Sequence, residues 1–583
     1  MFLPTTQTEC DALGWDRLDV ILVTGDSYID SPFMGIAVIG RVLQQAGYRV
    51  GVIAQPEIDS DRDIGRLGEP ELFWGVSGGS VDSMVANFTA LKKRRKSDDF
   101  TPGGLNTRRP DRAVIAYANL IRRFFKNTVP IVLGGIEASL RRISHFDYWS
   151  DRVRRSILFD AKADLLVYGM GENTVVALAR RLADKAPVTD LAGLCYPAAE
   201  PVSGYAMLPS HQEVATDKGA FERMFAAFYT NCDPVFGQGL CQRQDTRYLV
   251  QTPPALPLST QALDAVYALP FTHDQHPLHE RLGPVRALET IRFSIATHRG
   301  CYGECRFCAI AIHQGRAVQS RSEASIYAEA QRMTHHRQFK GIIRDVGGPT
   351  ANMYGIDCDR KVKKGSCTQR GCLFPRICPQ LPVDHSPQIR LLEKLRAIKG
   401  IRKVFVASGL RYDMILADEK SGDRYLANLV AHHVSGQLKI APEHTQSHVL
   451  SAMGKPDPAD LLSFKARFDQ MTRQAGKDQY LTYYFIAAHP GCNPGDMAAL
   501  SQYCSRHLKT TPRQIQVFTP TPSTWSTLMY WTGKDPFTGQ PIFVERDLRR
   551  KSDQKAAVVR PSRPKGKSGS KLAGNSKIGK DRK

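Results

Sequence analysis

Cys301, Cys305 and Cys308 stand in a C-x3-C-x2-C run, Cys301-Tyr302-Gly303-Glu304-Cys305-Arg306-Phe307-Cys308, directly after an apolar, strand-like segment at 291–296. Three thiolates this close in sequence can turn inward from one loop and ligate three irons of an iron-sulfur cluster, leaving a fourth iron open to a substrate or cofactor. Gly300 and Gly303 permit the backbone bends that such wrapping needs. Zinc is the competing reading, although structural zinc closes with a fourth Cys or His and favours paired C-x2-4-C spacing. Inert core thiols would not crowd three into eight residues. A second group, Cys358, Cys367, Cys372 and Cys378, lies beside Arg360, Lys361, Lys363 and Lys364. Its C-x8-C-x4-C-x5-C spacing lacks a C-x2-C pair, so a second metal or auxiliary cluster and a reduced, metal-free insertion both stay open. Cys504 shares an apolar helix face with Met497 and Leu500 and reads as core.

The elements that must position the first three thiols form a βα alternation from residue 290 onward. Strand-like runs occur at 291–296, 341–346, 404–407, 437–441, 480–487 and 514–519. Between them come helix signals: Ser320-x-x-Glu323 as a capping box before Ile326, Ala330 and Met333, then Ser386-Pro387 before Leu391, Leu395 and Ile398. Further helices are read at 425–433, from Asp457-Pro458, and from Asn493-Pro494 through 508. Six such units make an incomplete (β/α)6 barrel whose functional groups belong at the strand C-termini. Those ends carry the cysteine loop, Gly347-Gly348-Pro349, the run Ser408 to Asp413, Pro442-Glu443-His444 and His489-Pro490-Gly491-Cys492. For Arg411 with Asp413, and Glu443 with His444, an ion pair or turn at the rim is an equal reading.

The first 186 residues also alternate: strands at 19–23, 48–53, 72–76, 131–133 and 165–168, with helices at 35–47, 112–126 and 173–183. This predicts an α/β, doubly wound, Rossmann-like parallel sheet. Its strand ends carry Gly25-Asp26-Ser27, Ser77-Gly78-Gly79-Ser80 and Gly134-Gly135-Ile136-Glu137, where glycine either admits a ligand or simply makes a tight turn, the second being favoured. Residues 187–289 read as a mixed connecting segment with a helix at 221–229 and a strand at 246–251. The barrel occupies 290–532 with the Cys-rich insertion at 351–385, and 533–583 form a C-terminal extension.

The net charge of +22 is concentrated: residues 549–583 hold thirteen Lys/Arg against two Asp, half of the total. Rich in Gly, Ser and Pro, this stretch reads as disordered from about 549, and such a basic tail can meet RNA phosphates or remain solvated without a partner. No apolar run of 18 residues and no basic-then-apolar leader is present, so neither a membrane span nor a secretory signal is expected. Thirteen clustered cysteines fit metal ligands in a reducing, cytoplasmic compartment better than disulfides.

C-x3-C-x2-C with Phe307 before the last cysteine resembles the signature of the radical S-adenosylmethionine (SAM) superfamily. The runs Arg247 to Pro254, Asp345-Val-Gly-Gly-Pro-Thr-Ala-Asn-Met-Tyr-Gly355, Ser408 to Asp413, Leu438-Lys-Ile-Ala-Pro-Glu-His444 and Pro520-Thr-Pro-Ser-Thr-Trp525 resemble its YgiQ-type family in particular. The resemblance implies a [4Fe-4S] cluster on Cys301, Cys305 and Cys308. It also implies SAM at the rim: its amino group near Gly347 and Gly348, its adenine near Phe307, and polar contacts from Ser408, Arg411 and Glu443. An electron donor of the flavodoxin or ferredoxin type is expected, and no substrate is implied. In related enzymes a leading domain of this kind resembles a cobalamin-binding module, but Asp26-Ser27-Tyr28 lacks the histidine of D-x-H-x-x-G, which argues against cobalamin held through a histidine. A zinc-containing, non-catalytic nucleic-acid binder is the alternative, motivated by the basic tail and the four-Cys insertion.

Overall fold

A computed structural model of the chain describes residues 1–367, 370–512 and 515–559. The basic stretch 560–583, on which the RNA reading mainly rests, lies outside the described residues.

The first domain is built on a nine-stranded sheet. Strands Val20–Thr24, Val50–Ala54, Phe73–Ser77, Ile131–Gly134 and Leu165–Val167 run parallel. Alternating residues feed two cores, as the period of a strand requires. Ile21, Val23, Trp74 and Val76 pack on one face, and Val20, Leu22, Phe73 and Val132 on the other. Both faces are therefore covered, which explains why Val20–Thr24 is apolar throughout and fully buried. The segment 187–289 supplies four further strands, Leu194–Ala198, Ala206–Leu208, Leu240–Gln244 and Arg247–Gln251, joined to the parallel part by antiparallel pairing.

The second domain has six parallel strand positions in sequence order. Ser294–Ala296 pairs with Asp345–Gly347, Ile342–Ile343 with Lys403–Val404, and Gln437–Glu443 with Tyr480–Ala487, which pairs with Ile515–Val517. A parallel bridge from Leu410 to Ile440 joins the two halves. Helices Glu323–Thr334, Ser386–Arg396 and Ala459–Gln474 bury Ile326, Leu391 and Phe464 against this sheet. The chain is thus a doubly wound α/β domain followed by an open six-stranded barrel.

Three local expectations need correction. The helix at 323–334 is capped by Ser322, whose hydroxyl accepts from Ser325 N at 3.1 Å. Ser320 instead belongs to a short strand and accepts from Gly355 N. The next helix begins at Ser386 with His385 as its cap, because His385 is fixed by Asp418 through backbone and ring. The first barrel strand starts only at Ser294, since the preceding residues close a helical turn, Leu288–Ile291.

The reading of disorder from 549 is also corrected for the described part: Leu548–Val559 is a helix. Its buried residues Lys551, Gln554 and Val558 follow a helical spacing that an average over 35 residues hides. Val558 joins the barrel core. Lys551 reaches Tyr148 and Tyr530, with its ammonium 3.3 and 3.2 Å from their hydroxyls. This strap therefore ties the first domain to the end of the chain.

Desolvation lowers seven histidines well below their ordinary range. Burial holds His145, His279, His298, His313, His433 and His444 down to about 4, and His489 to about 3. In the unfolded chain they take up protons near pH 6.5. Unfolded protein then binds more protons than native protein, so stability falls as pH drops from about 6.5 towards 4. Denaturant midpoints at pH 7, 6 and 5 should decline progressively; a flat profile would contradict this account.

Candidate functional site

The cysteine loop is built outward from its two ends. Ala296 pairs with Gly347, and Thr297 N–H donates to Gly347 O at 2.7 Å, so the loop begins on the rim beside the second strand. His298 and Arg299 then pair with Ser320 and Gln319, closing the loop's base. Gly300 turns there with φ +76°, where a side chain would run into the Ala317 carbonyl. At the other end Arg306 N–H donates to Met453 O at 2.9 Å, and Arg306 O accepts from Ser526 N at 2.9 Å. Glu304, in the left-handed region at φ 44°, is held by Lys361 at 2.5 Å.

Inside this frame two of the thiols, Cys301 and Cys305, lie against Gly303. A Cβ there would lie 3.2 Å from Cys301 Sγ, 3.5 Å from Cys305 Sγ and 3.5 Å from Arg411 Nη1. Burial pushes the Cys305 thiol up, eased by Lys455 and Arg411, and pushes Cys308 up to about 12. Thiols this reluctant to ionise alone are deprotonated by a metal, with release of protons. Arg411 supplies the main test of fit. Its Nε and Nη2 donate to the two oxygens of Asp413 at 2.8 and 2.5 Å, while Nη1 is buried without a hydrogen-bond partner. The rim ion pair is real, and it leaves one cationic N–H facing the thiols, where an anionic cluster or a carboxylate would satisfy it. Among the described residues no three His, Cys, Asp or Glu side chains are arranged around a single metal ion. A cluster takes its thiolates at separate irons and so spreads them more widely than one ion does. The loop, its glycine and the orphaned guanidinium nitrogen fit a cluster.

The other rim residues fall around this loop. Gly347 lies against Ala351 and Ser408; at Gly348 a Cβ would come within 2.5 Å of the His298 ring, so only glycine fits. Asp345 accepts from Ala407 N and Ser408 N at 2.8 and 3.1 Å and from the Ser408 hydroxyl. Glu443 sits at a register shift with φ 68° and is raised to about 7 by burial, opposed by Lys455 and Arg411. Phe307 packs on the junction of both domain cores, edge-on to His489 at 6.2 Å.

In the insertion, Cys367 contacts Arg360 Nη1 at 2.7 Å and Cys372 contacts Lys361 Nζ at 3.4 Å. Cys358, Cys372 and Cys378 share a small apolar cluster with Tyr302 and Cys301, directly against the loop. At the strand ends of the first domain a Cβ would run into Glu137 at Gly78, Asp26 at Gly79 and Ser77 at Gly135. Asp26 itself is held by Arg109 at 2.5 Å and Ser80 N at 2.6 Å. Sequence spacing missed Lys455, His298 and Asn352, which accepts from Arg411 N at 2.8 Å. Lys455 and His298 carry no spacing signal of their own, and Asn352 stands in the run 345–355 without a pattern that marks it as a partner of Arg411.

Residues 2–294 match the radical SAM N-terminal family. A UPF0313 protein of Fusobacterium nucleatum is 54% identical over 96% of this chain and 98% of its own. One from Thermotoga maritima is 49% identical over 96% and 98%, and one from Methanocella arvoryzae 47% over 95% and 92%. The chain belongs to the UPF0313 family of radical SAM proteins, as the YgiQ-type resemblance implied. Among solved structures it is similar to the radical SAM methyltransferase TsrM from Kitasatospora setae, with cobalamin and a [4Fe-4S] cluster bound. That match has a TM-score of 0.47 at 14% identity, covering 86% of this chain and 76% of that one. It is also similar to the cobalamin-dependent SAM radical enzyme OxsB, with a TM-score of 0.49 at 13% identity over 90% and 57%. No helix among the described residues is long and apolar enough to cross a membrane.

Gly303→Val places a branched side chain against two thiols and Arg411. Iron and sulfide retained after anaerobic reconstitution should fall by roughly tenfold or more, and wild-type loading in this variant would refute the packing described.

Proposed function

We propose that this protein is a radical SAM enzyme whose cluster is held by Cys301, Cys305 and Cys308. The observation that carries the reading is the thiol loop around Gly303 with the unpartnered Arg411 Nη1 beside it. The cluster, when bound, supplies one electron for reductive cleavage of SAM to a 5′-deoxyadenosyl radical that abstracts hydrogen from substrate.

The chain's own part is positioning. Gly347 and Gly348 offer backbone at the end of the second strand to the SAM amino group, with the His298 ring packed on the side-chain position of Gly348. Arg411 is fixed by Asp413 so that Nη1 meets the SAM carboxylate or a cluster sulfide. Glu443, with Lys455 3.9 Å away, offers a hydrogen-bonding pair for ribose hydroxyls. Phe307 provides an apolar face for adenine, and Ser408, its proton committed to Asp345, acts as an acceptor. An external donor of the flavodoxin or ferredoxin class supplies the electron.

Anaerobically reconstituted protein, reduced with dithionite in the presence of SAM, should release 5′-deoxyadenosine. Cys305→Ala should lose both cluster and release. Arg411→Met should keep iron but release 5′-deoxyadenosine more slowly by roughly tenfold or more, the scale of losing one oriented charged donor. Iron-loaded wild type that releases none would overturn the reading.

A further inference from the structure

A cavity of about 510 Å³ lies between the strand ends of the two domains and shares Gly347, Gly348 and Ser408 with the rim. That volume is in the range of small-molecule sites. Most of its wall is apolar, from side chains such as Phe33, Ile36, Val132 and Ile295. The charged side chains on the wall are Asp26, Glu172, Arg299 and Asp345. Asp26 is neutralised from behind by Arg109, and Asp345 is turned to Ser408.

Two polar atoms on this wall have no hydrogen-bond partner. Glu172 is 3% exposed; its Oε1 pairs with Arg299, while Oε2 accepts nothing. His298 is 2% exposed; its Nδ1 contacts the Thr297 hydroxyl at 2.8 Å, and its Nε2, without a hydrogen-bond partner, is packed against Gly348. Arg299 already has Glu172 and lies over the Tyr267 ring at 5.5 Å. A buried carboxylate oxygen without a partner is costly, and its best partner is a cationic donor. A carboxylate ligand would meet Glu172 and Asp345 with only Arg299, already paired, to compensate.

We infer that this cavity is the substrate site and takes a largely apolar molecule that presents a primary amine to Glu172 Oε2. Its role as substrate site rests on the radical SAM reading; its ligand selectivity does not. Apolar walls bury the body of such a molecule, and the unmet carboxylate oxygen selects its head.

The test uses full-length protein and three matched probes: hexylamine, hexanol and hexanoate. Calorimetric titration should show hexylamine binding at least about tenfold more tightly than hexanoate, the gain expected of one charged hydrogen bond. Glu172→Gln should erase the preference for hexylamine over hexanol. Met170→Trp is the second variant, because Met170 lines the cavity from a half-buried loop position and a larger ring there fills space without rebuilding a core. It should weaken binding of all three probes. Hexanoate binding as tightly as hexylamine, or hexylamine binding undiminished in Met170→Trp, would overturn the inference. Amine selectivity without 5′-deoxyadenosine release from iron-loaded protein would instead overturn the radical SAM reading and leave the cavity's selectivity standing.

Discussion

Everything at the rim depends on holding three sulfurs on one side of a short loop while keeping a guanidinium beside them. The loop is pinned at both ends by backbone bonds, to Gly347 on one side and to Met453 and Ser526 on the other. At its centre a side chain on Gly303 would press on Cys301 Sγ, Cys305 Sγ and Arg411 Nη1. Arg411 cannot turn away, because Asp413 takes two of its nitrogens and Asn352 takes its backbone N–H. A buried cation with an unmet N–H is expensive by itself. The expense is offset when an anion occupies the same space, so the protein part of the site is preorganised for negative charge.

The second constraint is the joint between domains. Arg299, next to the loop, pairs with Glu172 at the start of a first-domain helix. His313 meets Ser139, and the Ser523 hydroxyl donates to Leu140 O at 2.8 Å. Buried polar contacts of this kind add little net stability, because desolvation consumes much of the attraction, but they fix register. They set the strand ends of the doubly wound sheet facing those of the barrel. The cavity is the space left between two rims that each end in small residues. The C-terminal helix reinforces the joint through Val558 and the Lys551 contacts with Tyr148 and Tyr530.

Much of this was legible in the sequence because it is local. The thiol spacing lies within eight residues, and each strand and helix of the two βα series is read from the period of its own residues. The Arg411–Asp413 pair is two residues apart in sequence and is present as an ion pair in the structure. The missing part is long-range. Lys455 reaches Glu443, and His298 fills the gap at Gly348, through folding that no spacing announces. The helix Leu548–Val559 was hidden for a different reason: its charge is high on average, yet its buried residues occupy one stripe. Composition measures the whole segment, whereas burial acts on a face.

A cluster held by the proposed thiol loop would present one iron with a site open to SAM. Mössbauer spectroscopy of iron-57-reconstituted protein, recorded with and without SAM, reads that open iron directly. The account predicts that a single iron environment changes its isomer shift when SAM is added, and that Cys308→Ala removes the responding cluster. A cluster whose irons are all indifferent to SAM would contradict it.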